Sequence, residues 1–193
     1  MNVFMPSVGK KTHLVRLVRQ ALWPWENLIA SDLDPHAPAL KEARERAVLP
    51  TTTATNFKAA ATELLLKKRV ELIIPTRLEE FTFWKNLEKE FPKLKVACSD
   101  YRTVELGLNK ARLYEWLKVE NFPVASFLTW QKQSPEEVRK NLGDFPLFAK
   151  PSFGSGSKGV LKIENQTQLE TLEEGSILQP FLRGQEFTVN LWI

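Results

Sequence analysis

The sequence predicts an α/β protein with two parts: a parallel βαβ sheet over residues 1–108, followed by a smaller α+β unit. Strand-like and helix-like segments alternate through the first part at the spacing of βαβ units. Residues 72–75 are apolar without polar alternation, which is typical of a strand buried on both faces. After residue 124 short strands surround a segment rich in glycine and serine, which indicates a different architecture.

The N-terminal elements follow from the periodicity of apolar residues and from capping residues. Leu14, Leu17 and Val18 lie on one face of a helix, and Asn56 can cap another. The predicted strands are residues 2–5, 28–30, 48–50, 72–75 and 94–98, and the predicted helices are residues 14–22, 39–46, 57–68 and 79–90.

The loops that follow the parallel strands are where such sheets bind ligands. They comprise residues 6–12, 31–35 and 75–80. The first loop has one glycine, Gly9, so the three-glycine dinucleotide fingerprint is missing and bound NAD or FAD is not expected. For Asp32 and Asp34 a turn-capping role is favoured over a ligand contact. For Arg77 a surface position is favoured over an anion contact.

The second part contains predicted helices at residues 103–108, 109–120 and 166–173, and another that begins at Pro135. Asn109 is the expected N-cap of the second helix, and Ser134 the cap before Pro135. Lys110 lies in a first helical turn, where a lysine is unfavourable unless it is solvated or binds an anion. The predicted strands are residues 124–129, 147–150, 160–163, 177–182 and 186–193.

A loop at residues 152–159 carries three glycines and three serines between two of these strands. One interpretation is a mobile hairpin tip. The favoured one is a phosphate cradle, in which glycine dihedrals turn successive backbone N–H groups toward an anion. Lys150 and Lys158 would add positive charge to the same site.

Composition excludes several classes of protein. The chain of 193 residues has 43% hydrophobic and 26% charged residues, the balance of a globular protein. It has no apolar run near the ~20 residues of a membrane helix and no signal-peptide pattern, so we expect a cytoplasmic protein that binds no membrane. Cys98 is expected to be a small buried residue, and two histidines predict no His-rich metal site.

Nucleic-acid binding is a further hypothesis, raised by six tryptophans and an isoelectric point near 9.2. The net charge is only +4 and the basic residues are scattered. Core or inter-domain packing is the favoured role of the tryptophans, so we expect no nucleic-acid partner.

Several motifs in order resemble the ATP-grasp enzymes, most closely the carbamoyl-phosphate-synthase large-subunit-like branch. They are residues 109–111, 150–160 and 179–189, with residues 7–9 and 32–39 matching the domain that precedes the ATP-grasp fold. The resemblance implies a Rossmann-like pre-ATP-grasp domain at residues 1–108 and a linker helix with the ATP-grasp lid at residues 109–182. Residues 183–193 would then be the first strand of a large domain.

The resemblance also implies ATP as the cofactor and assigns its contacts. Lys110 and Lys150 would contact phosphates, with Lys150 also near the adenine edge. The carbonyl of Pro180 and the amide of Leu182 would hold the adenine, and Glu186 would accept from the ribose hydroxyls. The full set of implied nucleotide-binding residues is Lys110, Lys150, Gly154, Ser155, Gly156, Ser157, Lys158, Gly159, Gln179, Pro180, Leu182 and Glu186.

In the ATP-grasp family the magnesium ligands follow the hinge, and the sequence ends at Ile193 before any such residue. The resemblance therefore implies the N-terminal fragment of an ATP-dependent carboxylate (or bicarbonate)–amine ligase, which forms an acyl phosphate in the full protein. Magnesium would bind only the complete protein, and the fragment alone would be inactive. A non-catalytic nucleotide-binding or regulatory module is the alternative. The apolar strand at residues 187–193 predicts a homodimer or a complementing chain.

Overall fold

A computed structural model describes residues 1–154 and 156–187 of the chain. Two compact units are present, Met1–Glu105 and Leu106–Ile193. The domain boundary at residues 108 and 109 stays a prediction. The expected strand at residues 187–193, with the pairing predicted from it, lies outside the described residues except for Phe187.

The first unit is built on the parallel sheet that the sequence predicts. Its five strands have the order β3-β2-β1-β4-β5, and every neighbouring pair is parallel. The strands are β1 (Asn2–Met5), β2 (Asn27–Asp32), β3 (Glu45–Val48), β4 (Leu72–Ile73) and β5 (Lys95–Val96).

Apolar side chains fill both faces of this sheet. Successive residues of a strand point to opposite faces, so Phe4 and Ile73 belong to one core cluster, and Val3 and Met5 to another. The α-helices that follow the strands are α1 (Thr12–Ala21), α2 (Phe57–Lys67), α3 (Phe81–Glu90) and α4 (Tyr101–Leu108). The continuous apolar strands of the sequence are explained by this burial on two sides.

One predicted helix of the first unit is wrong. Residues 39–46 were expected to be helical, but a short 3-10 helix (Pro38–Glu42) ends there and β3 begins at Glu45. β3 is an edge strand beside β2, and its residues alternate between half-buried and exposed. Pairing with β2 therefore overrides a local helical pattern that is only a few residues long.

The second unit has a four-stranded antiparallel sheet in the order β6-β9-β7-β8. Its elements are α5 (Lys110–Val119), β6 (Leu128–Thr129), α6 (Pro135–Leu142), β7 (Leu147–Lys150), β8 (Leu161–Ile163), α7 (Gln166–Glu170) and β9 (Ile177–Pro180). Side chains of α6 and α7 pack on one face of the sheet, against residues such as Leu147, Ala149 and Leu178.

Capping residues place two of these helices where the sequence predicts them. The side chain of Asn109 accepts the N–H of Arg112, and that of Ser134 accepts the N–H of Glu137. The strand predicted at residues 124–129 is shorter, because only Leu128 and Thr129 pair with β9. In the described part of the chain, no helix has both the length and the apolar character that crossing a membrane requires.

Candidate functional site

Lys110 lies at the first position of α5 and is tied to the glycine-rich loop. Its backbone N–H donates to the carbonyl of Ser152 at 2.9 Å, and its Nζ donates to the carbonyl of Gly154 at 2.6 Å. These contacts hold the start of the loop against the N-terminus of the helix, where unpaired N–H groups favour anions.

Lys150, the last residue of β7, lies beside the same helix. Its Nζ donates to the hydroxyl of Tyr114 at 2.5 Å and lies 5.6 Å from the centre of the Phe148 ring. Tyr114 follows Lys110 by four residues, so both side chains project from the same face of α5. The structure thus brings Lys110 and Lys150, both singled out from the sequence, to the same face of α5.

The two lysines affect each other electrostatically. Burial lowers the pKa of Lys110 below its usual value, and the positive charge of Lys150 lowers it further. Like charges placed close together are stabilised when an anion binds between them. Lys110 and Lys150, called the lysine pair below, therefore place two positive charges beside the N-terminus of α5.

The loop between β7 and β8 has left-handed backbone at several of its described residues. Positive φ angles occur at Gly154 (+100°), Gly156 (+68°), Ser157 (+56°) and Gly159 (+72°). A Cβ at Gly159 would lie 2.9 Å from Cγ of Pro151, so a side chain there would force its surroundings to shift. Lys158 is exposed in this loop, and Ser155 lies outside the described residues.

A cleft of about 860 Å³ opens beside β9. Phe148 and Lys150 alternate with the core residues of β7, so they lie on the face of the sheet opposite to α6 and α7. Gln179 pairs with Phe148 in the ladder and shares that face. The cleft is lined by Phe148 and by residues 179–186. Among these are the predicted hinge residues Gln179, Pro180 and Leu182, and Glu186, the residue predicted to contact the ribose.

The loops at the carboxyl edge of the parallel sheet form a second polar region, in the first unit. Asp32 Oδ2 accepts the N–H of Gly9 at 2.7 Å, and its Oδ1 accepts the N–H of Asp34 at 3.1 Å. Both carboxylate oxygens thus stabilise loop backbone, as the turn interpretation expects. Arg77 is exposed, and its Nε lies 3.6 Å from Oε2 of Glu79.

Sequence reasoning missed three residues at these places. Tyr114 and Phe148 contact Lys150. Tyr114 lies four residues after Lys110 and Phe148 lies two residues before Lys150, and these spacings are the sequence signal that could have identified them. Glu80 is only 1% exposed and accepts hydrogen bonds from Ser7 Oγ (2.5 Å) and Trp84 Nε1 (3.2 Å). A carboxylate in a loop after a buried parallel strand was the signal for Glu80.

The described residues lack a cluster of metal-ligating side chains. Residues 1–154 and 156–187 contain no group of three or more histidine, cysteine, aspartate or glutamate side chains that could hold a metal ion. Magnesium binds oxygen ligands in a near-octahedral set. The described donors do not supply such a set, so no magnesium site is assigned here.

Family models cover almost the whole chain. Residues 3–99, just over half of it, match the model described as PylC-like, N-terminal domain, and residues 108–193 match the model described as ATP-grasp domain. The chain belongs to the ATP-grasp family. No curated protein matches its sequence.

Solved structures share the fold of this ATP-grasp chain. N5-carboxyaminoimidazole ribonucleotide synthetase from Thermotoga maritima is 23% identical, with a TM-score of 0.68 over 93% of this chain and 46% of its own. N5-carboxyaminoimidazole synthetase from Staphylococcus aureus, complexed with ADP, is 17% identical, with a TM-score of 0.70 over 94% of this chain and 47% of its own.

The biotin carboxylase domain of 2-oxoglutarate carboxylase from Hydrogenobacter thermophilus, in complex with MgADP, ADP and bicarbonate, is 19% identical. Its TM-score is 0.70 over 94% of this chain and 44% of its own. The chain therefore spans a little under half the length of these structures.

Proposed function

We propose that this chain binds ATP through its second unit, as the N-terminal part of an ATP-dependent ligase that joins a carboxylate or bicarbonate to an amine. The observation that carries the proposal is the lysine pair beside the glycine-rich loop. Lys110 begins α5 and Lys150 ends β7 beside the same helix, and their charges repel each other in the absence of an anion.

The proposed contacts divide the nucleotide between two places in the unit. The lysine pair holds phosphates, and Gly154 to Gly159 close over the β- and γ-phosphates with their backbone N–H groups. The Pro180 carbonyl and the Leu182 N–H hold the adenine edge in the cleft beside β9. Proline keeps its carbonyl acceptor although it has no N–H, so Pro180 suits this role.

The remaining cleft residues complete the nucleotide site. Glu186 accepts hydrogen bonds from the ribose diol, for which a carboxylate with two acceptor oxygens is suited. The aromatic ring of Phe148 supplies an apolar wall beside Gln179. Support comes from the membership of the ATP-grasp family and from the cleft, which contains the predicted hinge residues and Glu186.

The proposed reaction has two steps. A carboxylate oxygen of the substrate attacks the γ-phosphorus while the bond to the β,γ-bridging oxygen breaks, which gives an acyl phosphate and ADP. The amine nitrogen then attacks the acyl carbon, phosphate leaves, and the nitrogen gives up a proton. The contribution of this chain is to position the phosphates and to offset their charge with Lys110 and Lys150.

The test is calorimetric titration of the purified chain with ATP, adenosine and tripolyphosphate in parallel. Both part-ligands are expected to bind more weakly than ATP, because each occupies only one of the two proposed places. Lys110→Met should weaken the binding of ATP and of tripolyphosphate but not the binding of adenosine. Lys118→Met, which removes an exposed charge from the same helix, is the control and should change none of them. Equal loss in both variants would contradict a specific phosphate contact.

A further inference from the structure

A cavity of about 250 Å³ lies in the first unit, at the carboxyl edge of the parallel sheet. Its apolar wall includes Leu49 and Phe57, and its polar wall includes Ser31, Asp32 and Glu80. A water molecule needs only about 10–15 Å³ by such a measure, so the cavity has room for a small organic molecule.

Ser31 points to a ligand because its hydroxyl lacks a partner. The residue is 1% exposed and lines the cavity, and its Oγ makes no hydrogen bond within residues 1–154 and 156–187. A buried hydroxyl without a partner is costly, and nearly all buried polar groups in folded proteins have one. Something that occupies the cavity can supply the missing hydrogen bond.

The sign of the charge in the cavity indicates what that molecule is. Within the described part of the chain, Asp32 accepts hydrogen bonds from backbone N–H groups alone, and Glu80 accepts them only from the neutral donors of Ser7 and Trp84. No ion pair within the described residues involves either carboxyl group. A carboxylate offers about four acceptor positions, so each retains the capacity to accept further hydrogen bonds.

The nearby basic groups do not balance these carboxyl groups. Arg77, which also lines the cavity, lies 3.6 Å from Glu79, so its charge already faces an acidic neighbour. Lys11 Nζ approaches the carbonyl of Ser7 and the hydroxyl of Thr76, both at 3.4 Å. The cavity therefore favours a positively charged donor of hydrogen bonds.

We propose that this cavity binds a small organic ammonium group, with its N–H donors directed to Asp32, Glu80 and Ser31. The carbon chain of the ligand packs against the ring of Phe57 and the side chain of Leu49. The binding of an ammonium compound in this cavity does not depend on the proposed function. Its identification as the amine substrate of the ligase rests on the proposed function.

The test uses the complete 193-residue chain, labelled with ¹⁵N and without nucleotide. Butylammonium chloride is titrated to about 50 mM at constant ionic strength, since a ligand of a few heavy atoms binds weakly. Saturable shifts are expected at the amide signals of Gly9, Ser31, Asp34 and residues 51–53. Butanol, butyrate, potassium chloride and magnesium chloride at matched concentrations should not produce these shifts. Equal shifts with butanol or with either salt would overturn the proposal.

Two variants test the polar wall, with a matched control. Asp32→Asn should weaken butylammonium binding at least about tenfold, because a charged acceptor is lost, and Ser31→Ala at least about threefold. Thr82→Val removes the other buried hydroxyl without a partner in the described residues, outside the cavity lining, and should leave the affinity unchanged. Unchanged binding in both Asp32→Asn and Ser31→Ala would refute the assignment.

Failure of this inference is distinguishable from failure of the proposed function. Lys150→Met should weaken ATP binding by roughly 10- to 150-fold, as expected for a lost phosphate contact, while the butylammonium shifts persist. Thermal unfolding of each variant verifies that it is folded, and Ser31→Ala is the safer variant because its hydroxyl supports no other group in the described structure. Loss of the butylammonium response in folded Lys150→Met would contradict a site confined to the first unit.

Discussion

Replacement of Lys150 by methionine separates the proposed binding role of this residue from its structural role. Methionine keeps the length of the side chain and removes its charge. Within the described residues of the free protein, Lys150 Nζ donates one hydrogen bond, to the half-buried Tyr114 hydroxyl at 2.5 Å. Loss of a hydrogen bond with a charged partner costs about 1.5–3 kcal/mol, less than the roughly 5–15 kcal/mol by which a folded protein is stable, so the variant should stay folded. A charge-assisted bond to a phosphate contributes about 1.5–3 kcal/mol, which corresponds to a loss of roughly 10- to 150-fold in ATP affinity.

Calorimetry for affinity and thermal unfolding for stability measure the two effects independently. Tyr114→Phe is the matched control: it removes the hydroxyl that Lys150 contacts but keeps the positive charge, so ATP affinity should fall by less than about threefold. The proposed binding role would be refuted if folded Lys150→Met bound ATP with an affinity within twofold of that of the parent chain. A large loss of stability in Lys150→Met would instead refute the small structural role given to the bond with Tyr114.

Three further predictions concern residues away from Lys150. Burial alone would raise the pKa of Glu88, but the hydrogen bonds that it accepts from Lys85 and Val96 lower it overall. The resulting stabilisation exists above the unfolded pKa of about 4.3 and is lost as the pH falls from there through the lower folded pKa. Over that pH range the free energy of unfolding, measured in urea, should fall less steeply for Glu88→Gln than for the parent chain. Trp84 is fully buried, and Trp84→Ala should lower the free energy of unfolding by about 3–5 kcal/mol in urea titrations, with Trp84→Phe less affected. Gly159→Ala should destabilise the second unit by at least about 1 kcal/mol, which differential scanning calorimetry can measure, and wild-type stability would show that the loop adapts to a Cβ.

The sequence was informative where the local pattern and the tertiary structure agree. The apolar strands at residues 2–5 and 72–75 identified a sheet buried on both faces, and Asn109 and Ser134 fixed the starts of two helices. β3 was predicted about three residues too late, at residues 48–50, because an edge strand of four residues is stabilised by its pairing with β2 and has little pattern of its own.

The candidate site was predictable only in part, because contacts between distant segments leave no local signal. Lys110 and Lys150 were identified by their places in an ordered set of motifs, but the mutual effect of their charges needed the structure. The unpartnered hydroxyl of Ser31 was invisible for a similar reason: a serine at the end of a strand has the same sequence signal whether its Oγ has a partner or not.

The division into two compact units has an evolutionary consequence. Every residue proposed for ATP lies within residues 106–187, and every residue proposed for the ammonium ligand lies within residues 1–105. A recombination event near residue 105 would exchange one recognition site without changing any side chain of the other. Selection could therefore diversify the ligand proposed for the first unit while the nucleotide contacts proposed for the second are inherited unchanged.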